Sequence, residues 1–127
     1  MRPEDRAVPA LAFIFCETRP HPTTTPTEWT GEARLLLDPP RDLLDALHAA
    51  DLHDLGHPDD LSVQVSAETL FEDGQITGRT TLNAADLATL TAHLPDPHHA
   101  RLLAWAAFAY AFERQGNEAR FIMWFVE

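Results

Sequence analysis

The chain has 127 residues and a formal net charge of -11, from 20 acidic residues against nine arginines with no lysine. That length allows one domain with its own core and no need of metal or disulfide, and a lone cysteine, Cys16, excludes an internal bridge and fits a reducing cytoplasm. The acidity argues against direct nucleic-acid binding and against anionic membranes, while it suits a basic protein partner or solubility alone.

The all-arginine basic set and abundant alanine point to a GC-rich bacterial genome, and the opening MRPEDR does not read as a secretory signal. From Val8 to Cys16, VPALAFIFC, apolar residues fall on both sides of an extended segment, with Leu11, Phe13 and Phe15 on one and Ala12, Ile14 and Cys16 on the other. Such a strand belongs inside a sheet. Residues 17–28 follow as a long loop rich in proline and threonine, above the usual connection length. Trp29 to Leu37 predicts a second strand, with Trp29, Ala33, Leu35 and Leu37 inward. Asp38 and Pro39 then open a helix whose inner stripe is Leu43, Leu44, Leu47 and Ala50.

Leu61 to Phe71, LSVQVSAETLF, alternates apolar with polar residues and predicts a third strand. Asp73 and Gly74 suggest a hairpin turn into a threonine-rich edge strand, Gln75 to Leu82. Asn83 with Asp86 resembles a capping pair, and Leu87, Leu90 and Leu94 mark a short helix ended by Pro95. From Leu102 to Phe112 every residue is apolar or aromatic. Too short for a membrane span, this helix requires protein cover on most sides. After Gly116, residues 121–126 form a second doubly apolar strand, which pairs with or lies close to the first.

The expected fold is a single α+β domain over residues 1–127. Its mostly antiparallel sheet has about five strands, with three helices on one face. This is a ferredoxin-like split βαβ pattern with an extra N-terminal strand. The opposite sheet face is then bare under the two apolar strands, which marks Ile14, Ile122 and Trp124 as an apolar interface for a second copy.

Chemistry is sparse. His48 to Asp60 holds three histidines and four aspartates, and His53, Asp54 and His57 are weak metal candidates. Gly56 and Pro58 interrupt the helix that would align them. His93, His98 and His99 lack a fixed ligand geometry, Cys16 reads as a buried small hydrophobe, and no phosphate loop or GxSxG is present. No cofactor is implied. The expectation is a non-enzymatic acidic interaction protein, an inhibitor or immunity-type partner of a basic protein, binding through Asp42, Asp45, Asp51, Asp54, Asp59 and Asp60. A homodimer without membrane or nucleic-acid contact, in the cytoplasm, completes it. The alternative is a small dimeric ligand-binding protein or enzyme with a pocket between the long helix and the sheet, lined by Trp29, Trp105 and Trp124 with Phe108, Tyr110 and Phe112.

Overall fold

The two doubly apolar strands pair with one another in the computed structural model, which describes residues 9–21 and 27–127. In chain order the elements are β1 (Leu11–Pro20), β2 (Thr30–Leu35), α1 (Pro40–Ala49), α2 (Val63–Leu70), β3 (Ile76–Leu82), α3 (Ala84–Thr91), a 3-10 turn at Asp96–His98, α4 (His99–Arg114) and β4 (Asn117–Val126). The four strands form one antiparallel sheet in the order β2-β1-β4-β3. β1 and β4 pair from Leu11 opposite Val126 to Pro20 opposite Asn117. Apolar residues on both faces demand this central place. Pairing also carries β1 to Pro20, so the first part of the expected loop is strand; residues 22–26 lie outside the described residues.

The α+β class with an antiparallel sheet holds, but the described residues form a sheet of four strands and four α-helices. The segment expected as the third strand is α2. Ser62 caps it, its hydroxyl accepting the Val65 N–H at 3.2 Å, and a cap of this kind settles a short segment as helix. The helix separates residues that strand alternation placed together: Val65 is fully buried, whereas Val63 is 74% exposed. Without that strand the split βαβ unit disappears, and Asp73 and Gly74 lead from a helix into β3 instead of joining two strands.

α2 also corrects the expectation of a bare sheet face. On one side Ile14, Cys16, Phe121, Met123 and Phe125 pack against Leu43 and Leu47 of α1, Leu87 and Leu90 of α3, and Leu102 and Trp105 of α4. On the other, Phe13, Phe15, Ile122, Trp124 and Val126 lie beneath Val65 and Leu61. Phe13 and Phe15 both stack on the Trp124 ring, with centroids 5.1 and 5.5 Å away. Ile14, Ile122 and Trp124 are therefore fully buried within one chain, on opposite faces of the sheet.

Two bulges shape the edges. Between Cys16 and Glu17 the β1–β2 register shifts, so that Ala33 pairs with Cys16 but Gly31 pairs with Glu17. The extra residue turns the start of β2 onto the α2 side, and Gly31 there approaches Gln64. Trp29 follows it to that side, against the inward placement beside Ala33 that simple alternation gives. On β3 the register shifts between Thr77 and Thr80. Gly78 sits there at φ 63, and a Cβ on it would come within 2.8 Å of the Phe125 ring. The connection after α1 runs along the β3 edge: the Gly56 N–H donates to the Arg79 carbonyl at 2.9 Å, and the Thr81 hydroxyl donates to the Gly56 carbonyl at 2.8 Å. An edge covered in this way is not open to another strand.

Candidate protein-interaction site

Beyond Phe15 and Ile122 the α2 side of the β1–β4 pair becomes ionic. Glu17 faces Arg120 and Arg19 faces Glu118 in the strand register. The fully buried Glu17 carboxylate accepts Arg120 Nε at 2.7 Å and the Ser62 backbone N–H at 2.7 Å, while Arg19 Nε donates to Glu118. Trp29 stacks against both guanidiniums, 3.8 Å from Arg120 and 4.5 Å from Arg19, and its indole N–H donates to Asp60 at 3.1 Å. Arg120 also donates to the Asp60 carboxylate and backbone carbonyl, each at 3.1 Å. Burial pushes the Asp60 carboxyl up, but hydrogen bonds from Arg120 and Trp29 outweigh it and hold the group below its ordinary value. An open cleft of about 320 Å³ lies beside this cluster, lined by Arg19, Glu28, Trp29, Asp60 and Val63. The charged groups satisfy one another. The cluster ties β1, β4, the entry to β2 and the start of α2 together.

Sequence reasoning missed this cluster because it placed Glu17 and Arg19 in the loop at 17–28 and Asp60 on a partner-binding surface. The signal was the alternation itself: Phe13, Phe15, Glu17 and Arg19 share a side, as do Glu118, Arg120, Ile122 and Trp124, with opposite charges in register.

The histidines do not converge. His53 stacks on His48 at 4.0 Å between centroids, whereas the His57 Nε2–H donates to the Met123 carbonyl at 2.8 Å. Burial lowers the His57 pKa. His53, Asp54 and His57 thus point to different partners, and among the described residues no three metal-ligating side chains come together. His98 donates to Asp42 at 2.9 Å, and His99 donates to the Leu94 carbonyl at 2.7 Å. Cys16 is fully buried; desolvation, with Glu32 and Glu17 nearby, pushes its thiol up to about 12, which makes it a poor nucleophile at neutral pH.

Of the six aspartates expected to meet a partner, Asp42 and Asp60 are committed to His98 and to the Arg120–Trp29 cluster. Asp45, at the surface, pairs with Arg41 at 3.6 Å, and Asp51, Asp54 and Asp59 are exposed. Asp51 and Asp54 adopt left-handed backbone, with φ 57 and 54, which aspartate tolerates better than most residues. The bends end α1 and return His53 to it.

The other prominent surface is apolar. α4 was expected to be covered on most sides, yet only Leu102, Trp105, Ala106 and Ala109 are buried. Its outer side exposes Leu103 by 53% and Phe108 and Tyr110 by 39% each, around the exposed alanines 100, 104, 107 and 111. Residues at that spacing share one helix face. The expected pocket beneath α4 is occupied by Trp105 with Phe121 and Met123. On the opposite side of the molecule α2 exposes Val63, Leu70 and Phe71 at 74–77%. No helix among the described residues is long and apolar enough to cross a membrane. No protein-family model, curated protein or solved structure matches the chain.

Proposed function

We propose that this chain is an acidic protein-interaction module, which works by presenting a surface and docks through the outer face of α4. One observation carries the reading: a helix apolar on every side shows its sheet-facing half to the core and its other half, Leu103, Phe108 and Tyr110 among alanines, to solvent. An apolar face of that extent is the usual mark of a protein contact, and aromatic anchors are what such contacts favour. The aspartates at 45, 51, 54 and 59 form a separate acidic surface, which suits a basic partner, in keeping with an inhibitor or immunity-type role.

The test is site-specific photo-crosslinking in the source cell. A photoreactive residue in place of Ala104 is expected to give covalent protein adducts, while the same residue in place of the exposed Asp73, far along the chain in the α2–β3 connection, gives none. Absence of any adduct from position 104 removes the reading.

A further inference from the structure

We infer that the occupant of the α4 face is a second copy of this chain, an inference that rests on the interaction reading above. The argument comes from where charge is missing. Between Asn83 and Phe112 only Asp86, Asp96 and Arg101 are charged, in a chain where charged residues make up 23%. Asp86 is already engaged, its carboxylate accepting the Asn83 N–H in the capping box of α3. The outer sides of α3 and α4 therefore offer Ala85, Ala88 and Ala92 on one helix and Ala104 and Ala107 on the other, a face whose charge is confined to its Arg101 margin, where Arg34 and Asp38 adjoin.

A basic partner selected by charge gains nothing at such a face, because steering and complementarity act through the acidic surface elsewhere. A second copy is in the opposite position. It is repelled by every acidic part of this molecule and can approach closely only where neither copy carries charge. The face is also suited to a two-fold contact, in which the same patch serves both partners. Alanines along its middle let two helix axes approach to the lower end of the usual 8–10 Å. Leu103 and Tyr110, seven residues apart, line one flank, and Arg101 and Phe108 line the other. In an antiparallel pair each flank meets its own equivalent. Leu103 of one copy then lies beside Tyr110 of the other, and Arg101, at the margin with Arg34 and Asp38, meets the Phe108 ring of the other copy, a favourable contact. α4 alone spans about 24 Å, a narrow strip against the roughly 800 Å² per partner of a standard interface, so the uncharged outer side of α3, which packs along α4, belongs to the contact.

Sedimentation equilibrium on the full chain tests this. The wild type is expected to be dimeric at tens of micromolar, and its dissociation constant to fall several-fold when salt rises from about 50 mM to 500 mM, as screening relieves the repulsion between two acidic bodies. Ala107→Arg, at an exposed position, is expected to raise the dissociation constant at least 100-fold with an unchanged circular dichroism spectrum. Leu70→Arg on α2 is expected to leave it unchanged. Oxidation of Ala107→Cys gives a second readout that needs no disruptive change, a disulfide-linked dimer with Cys16 still reduced. A wild type that stays monomeric at 100 µM, a dimer indifferent to Ala107→Arg, or a dimer weakened by salt overturns the inference. In the crosslinking experiment at position 104, adducts only to a different protein overturn it while leaving the interaction reading intact.

Discussion

Glu17 and Arg120 stand opposite one another on the two central strands, and the carboxylate, fully buried, is held at 2.7 Å by the guanidinium and at 2.7 Å by the backbone N–H that begins α2. Removing the cation leaves an uncompensated charge inside the protein. Arg120→Met is therefore expected to cost about 3–5 kcal/mol, and Glu17→Gln combined with Arg120→Met to cost clearly less than the sum of the single changes. Urea unfolding of the four proteins measures the coupling, and additive costs are the outcome that contradicts it.

Val63 and Val65 give the sharpest contrast between strand and helix. On a strand they share a face, and truncating either has a similar effect. With Val65 fully buried and Val63 74% exposed, Val65→Ala is expected to cost about 2 kcal/mol, and Val63→Ala close to nothing, since alanine is the better helix former. Ser62→Ala is expected to remove about 1 kcal/mol through the lost cap. Thermal unfolding monitored by circular dichroism distinguishes these.

Gly78 and Gly56 both take positive φ, 63 and 87, but only Gly78 faces a neighbour in the space a Cβ needs, the Phe125 ring 2.8 Å away, while Gly56 has open space. Gly56→Ala isolates the backbone strain, about 1–2 kcal/mol. Gly78→Ala is expected to exceed it, and equal losses show that the Phe125 ring yields without cost.

His57 makes stability depend on pH in a defined direction. Burial lowers its pKa below 6.5, against an opposing contribution from the hydrogen bond to Met123. Below about pH 6.5 the unfolded chain takes up a proton that the folded protein resists. The stability from this group is complete above that pH and is lost as pH falls through it. Unfolding free energies at pH 7.5 and 5.5 are expected to drop more for the wild type than for His57→Gln; an equal drop in both refutes the assignment.

Much of this architecture is written in local pattern. The doubly apolar runs at Leu11–Cys16 and 121–126 name the two inner strands, because no other place in a sheet accepts apolar groups on both faces. Asn83 with Asp86 announces α3 through its capping box. The failures share a cause. At 61–71 a short alternation was outweighed by a single cap at Ser62, and the helix it starts closes the face that sequence reasoning left bare. At Trp29 a one-residue bulge reversed the side, which alternation alone cannot foresee. The Glu17–Arg120 cluster depends on strand register, a long-range property, and the exposed half of α4 depends on how many neighbours a helix finds, which an apolar run does not specify.

The pairing of Leu11 with Val126 has a consequence for synthesis. Phe13 and Phe15 emerge from the ribosome long before Trp124, the ring they will lie against. Closure between strands so distant along the chain is slow. For that interval the nascent polypeptide carries a sticky, half-built layer, and a stop codon anywhere before Phe121 leaves it permanently so, a substrate for chaperones and proteases rather than a shortened working protein.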